Sequence, residues 1–415
     1  KMITGDHLAI AKEMGRKLQL GENIISAEKF PKYDPKEKLP DDLGEKYGHQ
    51  ILEADGFAGV FPEHKFMIVA ALEQIGYRCG MTGDGVNDAP ALKRADIGIA
   101  VSGATDAARA AAAIVLTGDG LSVIIDAVRI ARKVFNRIKS FMTYRIATTL
   151  QLLLFFFIAV FALPPSDYQP YDVTTYSYIN ITNSSTITTM IPSHTAFLIW
   201  PKFFSIPVVL LILITALNDG TLLTIGYDNV LISNRPQKWN LPSLMLVSFV
   251  LAVVACVSSL ILLWGALDSY NSNGWFAHWG LPPIGYPKIV TLMYLKVSVS
   301  DFLTLFTSRT VEKHFWSNMP SIPLLVGATL ALTASSVIAS VFPDTTISDI
   351  YACGLTRTPS IVIGAADDTY QLWPLWVWIY CVCWWIVQDF AKVGTDRLME
   401  KYDIFHYTSA GTRKL

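Results

Sequence analysis

The sequence predicts an α/β soluble part followed by an all-α membrane domain of six helices. Three observations carry that expectation. Residues 1–140 alternate strand-like and helix-like stretches and are rich in Lys, Arg, Asp and Glu. After Phe141 the charges thin out and collect in short loops. Six apolar stretches then follow, each near the roughly 20 residues needed to cross a hydrocarbon core. Of the 415 residues 52% are hydrophobic, and the mean hydropathy of +0.38 is high for a globular chain. A formal net charge of −1 gives no reason to expect nucleic acid as a partner.

The soluble part reads in order as follows. Lys1–Ile3 is a strand, and His7–Leu18 an amphipathic helix following Asp6. A polar, Pro- and Lys-rich excursion covers Phe30–Tyr47. Gly56–Val60 is a short strand, His64–Ile75 a helix, and Arg78–Thr82 a strand leading into a Gly-Asp-Gly turn. Pro90–Arg94 starts a helical turn, Ile97–Val101 is a strand, Ala104–Ala113 is helical, and Ile114–Leu116 closes the series before a long helix from Leu121. Such alternation predicts a parallel sheet with helices on both faces. Ligands of these folds sit beyond the carboxyl ends of the strands, and Asp6 and Asp84 both fall there, so they are expected to face one site. The chain opens on Lys1 without a signal-peptide pattern, and we expect it to be the C-terminal part of something longer.

The apolar stretches run about Phe141–Leu163, Phe203–Ile225, Ser243–Leu267, Ile289–Thr307, Ile322–Phe342 and Leu372–Lys392. An even count leaves both ends on one side. Basic residues collect between spans two and three (Arg235, Lys238), between four and five (Arg309, Lys313), and after six (Lys392, Arg397, Lys401, Arg413, Lys414). The opposite loops carry Asp344, Asp349, Asp367 and Asp368. The positive-inside rule then puts both ends in the cytoplasm. Expected domains are 1–140, the soluble part with a stalk helix; 141–392, the membrane domain; and 393–415, a short cytoplasmic tail. The loop Pro164–Pro201 lies outside and holds glycosylation sequons at Asn180 and Asn183. Trp373, Trp376, Trp378, Trp384 and Trp385 read as lipid-facing, interfacial anchors. The cysteines Cys79, Cys256, Cys353, Cys381 and Cys383 show neither a disulfide framework nor metal spacing and read as packing residues.

The chemistry centres on Met81–Leu92. Asp84, Asn87 and Asp88 place two carboxylates and a carboxamide around one turn, where a divalent cation and a phosphoryl group can sit. Mg²⁺ keeps several waters, so one or two carboxylates suffice, and Asp84 and Asp88 are the candidate ligands. Gly83 and Gly85 let the backbone turn tightly near a phosphate, and Lys65 supplies a cation for phosphoryl oxygens. Thr4, Gly5 and Asp6 add a hydroxyl, a backbone N–H and a carboxylate at a second strand end. In span two, Asp219 is a carboxylate within an apolar stretch, costly at ~2.5–3.5 kcal/mol on insertion scales and therefore a functional candidate. Asn218 precedes it, Gly220 permits local unwinding, and Thr215 lies one helical turn earlier on the same face.

These residues resemble the phosphorylation-domain signatures of P-type ATPases: Thr-Gly-Asp at 4–6, Pro-Glu-His-Lys at 62–65 and Thr-Gly-Asp-Gly-Val-Asn-Asp-Ala-Pro at 82–90. The resemblance implies a haloacid-dehalogenase-like fold, with ATP and Mg²⁺ as cofactors. Asp84 would bind the Mg²⁺, Lys65 would contact an aspartyl phosphate flanked by Thr4–Asp6, and Asn87 and Asp88 would orient the phosphoryl group and its nucleophile. The family's Asp-Lys-Thr-Gly-Thr acceptor motif does not occur here, nor does its Thr-Gly-Glu loop, so both are expected upstream. Leu217–Thr221, Asp55–Phe61 and Thr143–Ala147 resemble the type III plasma-membrane proton pumps, in which the aspartate matching Asp219 accepts the proton. Gln151 stands where fungal and plant members carry a His or Arg, and span four holds Lys296 and Asp301 where fungal ones have a Gln and a Glu. Lys296 either serves as an internal cation or snorkels or pairs with Asp301. The candidate ion-path residues are Asp219, Asn218, Thr215, Gln151 and Asp301.

The resulting expectation is a proton exporter of the plasma membrane, with the proton, the bilayer and an upstream part of the same pump as partners; a homo-oligomer is left open. Export of Na⁺ or another cation, or a truncated non-catalytic membrane subunit, are the alternatives.

Overall fold

The computed structural model describes residues 1–31, 40–169, 200–231, 239–281, 283–310, 313–341, 345–347, 350–352, 355 and 372–406. Asn180, Asn183, Cys353, Arg235, Lys238, Arg413, Lys414, Asp344, Asp349, Asp367 and Asp368 therefore lie outside the described residues. The chain divides into two compact units, Lys1–Arg129 and Ile130–Leu415.

The first unit contains β1 (Met2–Ile3), α1 (Leu8–Lys17), β2 (Ile24–Ser26), α2 (Leu43–Glu53), β3 (Gly56–Ala58), α3 (Pro62–Gln74), β4 (Gly80–Gly83), α4 (Ala89–Arg94), β5 (Ile97–Ala100), α5 (Asp106–Ala111) and β6 (Ile114–Val115). All its strand pairs are parallel, as the alternation requires. They form two three-stranded sheets, ordered β1-β3-β2 and β4-β5-β6, where one sheet was expected. The reason is local: β1 and β4 each find a ladder partner on one side only. The two sheets still share a core, because Ile3 packs on the clusters of both. Helix α3 serves both as well. Met67 and Ile68 join the cluster around Phe57, whereas Val69 joins the one around Met81 and Leu92. A helix apolar on several faces is what burial between two layers demands.

Two elements of this unit were not foreseen, β2 and α2. Three residues are too few to show an alternation. In α2, Gly44 and Gly48 lower helix propensity and mask the period. Their purpose is close packing: a Cβ on Gly48 would lie 2.7 Å from Ile75 Cγ2.

Helix α6 runs unbroken from Ser122 to Ala162 and carries the chain from the first unit into the second. There follow α7 (Val208–Ile225), α8 (Leu241–Leu267), the short α9 (Trp275–His278), α10 (Tyr286–Ser308), α11 (Ile322–Val341) and α12 (Trp373–Lys401). Five of these, α6, α7, α8, α10 and α11, are long and apolar enough to cross a membrane. The sixth expected stretch does form a helix, α12, but its many indole rings and the pair Gln388–Asp389 hold its hydropathy below that of the other five. Helix α7 starts five residues later than expected, because Pro207 lacks an N–H and biases the preceding residue away from helix.

Helix α10 is buried on nearly every side and packs on α7, α8, α11 and α12. Several of its hydroxyl side chains find partners inside the bundle, as an apolar surrounding favours. Ser298 and Ser335 bond at 2.7 Å, and Thr304 donates to Gln388 at 3.1 Å. The tryptophans of α12 divide. Trp376 faces outward, as foreseen for all five. Trp373 is buried and stacks on Phe276, Trp378 donates to Ser336 Oγ at 3.0 Å, and Trp385 donates to Thr307 Oγ1 at 2.8 Å. An indole N–H that finds a hydroxyl inside the bundle has no need of the interface.

Candidate functional site

In the first unit the Gly-Asp-Gly turn leaves the end of β4 and closes as a 3₁₀ turn, Val86–Asp88. Asp88 is its organiser. One carboxylate oxygen accepts from Lys65 Nζ at 2.5 Å, and the other accepts from the backbone amides of Asp84 and Gly85 at 3.2 and 3.3 Å. Gly83 is glycine because a Cβ there would lie 2.5 Å from Asp88 Cβ. Burial works to raise the Asp88 carboxyl, but Lys65 and the two amides outweigh it and hold it below the usual carboxylate range.

That depression has a sign in pH. A group lowered on folding contributes stability that is fully present above about pH 4, the ordinary carboxylate value, and is lost as pH falls through the lower folded value. Asp88→Asn should cost the first unit about 2 kcal/mol, the range for a hydrogen bond to a charged group. Thermal unfolding of the whole protein between pH 3 and 7 checks this, with the variant showing a flatter acid limb than the parent.

Asp84 and Asn87 are exposed at the rim of the same turn. Among the described residues their side chains make no hydrogen bond, so the Asp84 carboxylate stays uncommitted while Asp88 is held by Lys65. Thr4 and Asp6 form a turn of their own. Thr4 Oγ1 donates to Asp6 at 2.7 Å, and the amides of Gly59 and Val60 bond to the carbonyls of Asp6 and Thr4. Lys65, Asp84 and Asp88 are thus brought together directly. The hydrogen bonds of Thr4 and Asp6 run to each other and to Phe57, Gly59 and Val60, and none among the described residues joins them to Asp84. No group of three or more His, Cys, Asp or Glu converges as a metal cage among the described residues.

In the second unit Asp219 does not stand as an isolated buried acid. Its Oδ1 accepts from Arg145 Nη1 at 2.6 Å, and both side chains are about half exposed, at 55% and 48%. The neighbouring helix surface is apolar, with Phe157, Phe161, Ile212 and Leu223 all outward. A buried carboxylate on a neighbouring helix is Asp301 of α10, which accepts from Asn218 Nδ2 at 3.1 Å. Asp301 Oδ1, Asn218 Oδ1 and Gln151 Nε2 are buried and find no partner among the described residues. Thr215 turns its hydroxyl back to the carbonyls of Leu211 and Ile212. Lys296 neither snorkels nor pairs with Asp301. It is buried and donates to Ala255 O at 3.0 Å and to Ser259 Oγ, because five residues of helix turn it towards α8 while Asp301 faces α7.

The sequence points to Lys296 as a candidate internal cation and to Gln151 as a position without one, and Arg145 is not among the ion-path residues expected from it. The signal was there: Arg145 is a cation near the start of an apolar stretch, and such residues are functional candidates by default.

Comparison with known proteins bears on this geometry. No protein-family model matches the chain. It is 51% identical over 414 residues to a Leishmania donovani protein named "Probable proton ATPase 1A", covering 98% of this chain and 39% of that protein. A second Leishmania donovani protein, "Probable proton ATPase 1B", is likewise 51% identical over 413 residues. The chain belongs to the P-type ATPases. A Dictyostelium discoideum protein named "Probable plasma membrane ATPase" is 33% identical over 408 residues, 96% of this chain and 33% of its own length. The chain thus spans about two-fifths of the length of the Leishmania relatives it matches. Within a P-type ATPase, the Lys65–Asp88 turn and the Arg145–Asp219 pair fall on the segments whose motifs carry the family resemblance.

Proposed function

We propose that this chain is the C-terminal part of an ATP-driven pump that exports protons across the plasma membrane through an aspartyl-phosphate cycle. The observation that carries the reading is the Arg145–Asp219 pair, a charge couple on two helices apolar enough to span a bilayer. An acid that alternates between an arginine and a proton needs no coordination shell. When Asp219 is ionised, Arg145 neutralises it; when Asp219 takes a proton, the contact weakens and α7 is freed from α6. Ca²⁺ would need six to eight oxygens. Na⁺ would need more ligands around Asp301 than the two unpartnered oxygens of Asn218 and Asp301 supply.

The first unit is read as the phosphorylation domain, with a haloacid-dehalogenase-like fold. Its donor set fits Mg²⁺: Asp84 is an exposed, uncommitted carboxylate, and an ion that keeps most of its waters asks for little more. Mg²⁺ there would neutralise charge on a phosphoryl group. Lys65, fixed by Asp88, presents a cation at the same turn, and Asn87 offers a carboxamide beside it. Thr4, Gly5 and Asp6 would line the phosphoryl group from the other strand end. ATP would be bound with residues of the upstream part. A phosphorylatable aspartate would arrive on a further strand, and the single-sided ladders of β1 and β4 leave room for one. Six spans, with α12 as the last, would put both ends of this segment in the cytoplasm.

Reading the parent gene upstream of Lys1 tests the proposal. An Asp-Lys-Thr-Gly motif is expected there; without one, the chain is a non-catalytic membrane subunit.

A further inference from the structure

Helices α7 and α10 touch through Asn218 and Asp301, and their following loops touch again through a second, buried contact. Asp228 lies three residues beyond the end of α7, and Arg309 directly follows α10. Arg309 Nε reaches Asp228 Oδ2 at 2.8 Å and Nη2 reaches Oδ1 at 3.2 Å, with both side chains only 2% exposed.

Each nitrogen of the guanidinium and each oxygen of the carboxylate makes at least one hydrogen bond. Arg309 also donates to the carbonyls of Asn318 and Met319 at 2.6 and 3.1 Å, ahead of α11. Asp228 Oδ1 accepts from the Ser321 amide at 3.0 Å. The Asp228 carbonyl receives the fork of Arg137 on α6, at 2.9 and 2.7 Å. Four segments therefore meet on one ion pair.

A buried ion pair of this kind adds little net stability compared with apolar side chains of similar volume, since desolvation offsets most of the attraction. What a planar, bidentate fork does add is registry. The eight residues from Asp301 to Arg309 span about 12 Å of helix at 1.5 Å per residue, so the lower contact fixes how far α7 can slide or turn against α10. A slip there would draw Asn218 off Asp301.

We propose that Arg309–Asp228 is a register clamp, a positioning pair that holds Asn218 against Asp301 and thereby sets the affinity of the membrane domain for its ion. The inference rests on the pump reading for its functional consequence, and on the contacts alone for its structural one.

The test uses the full-length protein. The double variant Arg309→Met with Asp228→Leu removes the ion pair while keeping bulk. It should fold with a lowered unfolding temperature, since the Asn318 and Met319 carbonyls and the Ser321 amide lose their partners, while the proton concentration that half-activates ATP hydrolysis shifts at least fivefold. Arg309→Lys keeps the charge without the fork and should shift it by a smaller factor, which covers the case of a double variant that does not fold. A pH profile unchanged in a folded variant, or a fall in maximal rate with the profile intact, overturns the clamp. A register readout independent of transport completes the design. Cysteines placed at 218 and 301 should cross-link with a short bifunctional thiol reagent, and Arg309→Lys should lower that yield at least threefold; an equal yield overturns the proposal. Should the parent respond to Na⁺ in place of protons, the proton reading fails, and the clamp is judged on the half-activating Na⁺ concentration and the cross-link.

Discussion

On the proposed proton-export reading, Asp219→Asn in the full-length protein should reduce ATP-driven transport at least 100-fold. The substitution keeps the size of the side chain and removes the charge that Arg145 holds at 2.6 Å. It leaves a guanidinium without its counter-ion on an apolar helix, at a cost of about 3 kcal/mol if the site is as dry as a bilayer centre. Since each 1.4 kcal/mol is a factor of ten, that alone amounts to about two orders of magnitude. The variant also has no group at 219 that can take and release a proton. Arg145→Ala should be as damaging for the opposite reason, whereas Arg145→Lys should retain part of the activity, because the charge survives without the planar fork. Transport assays on membranes from the three variants decide it. Asp219→Asn at the parent's rate would remove the pair from the ion path.

The second large effect is expected at the soluble turn. Asp84→Asn should lower Mg²⁺-dependent phosphorylation of the whole protein by about 100-fold or more, in the range seen when one preorganised charge-stabilising group is lost. The two carboxylates of the turn divide the labour. Asp88 is tied to Lys65 and to two amides, so its loss should loosen the turn. Asp84 contributes its amide to that network while its carboxylate stays exposed, so its loss should spare the fold. Phosphate incorporation from ATP, measured against Mg²⁺ concentration, separates the two roles. Asp84→Asn should need far more Mg²⁺ at unchanged unfolding temperature, and Asp88→Asn should show a lowered unfolding temperature. An Asp84→Asn protein that incorporates phosphate normally would move the metal elsewhere.

Much of this architecture was legible. The strand ends at Asp6 and Asp84, the helix carrying Lys65 and the long apolar helices follow from periodicity and from Gly and Pro positions, all of which are local properties. What stayed hidden depended on packing at a distance. Helix α2 escaped because its two glycines answer to Ile75, some thirty residues away in sequence. The division into two sheets follows from ladder partners that no single strand reveals. The site in the membrane domain was half legible for the same reason. Asp219 announces itself as an acid among apolar residues, but which neighbour faces it depends on the phase of two helices. Phase brought Arg145 to Asp219 and turned Asn218 inward to Asp301. It also carried Lys296 away from both carboxylates, to Ser259 and Ala255.

The most direct measurement is ATP-dependent acidification inside sealed vesicles holding the full-length protein, in Na⁺-free medium with Mg²⁺. A pH gradient is expected to form on adding ATP and to collapse with a protonophore. ATP hydrolysis without any gradient, or hydrolysis that starts only when Na⁺ is supplied, would contradict proton export.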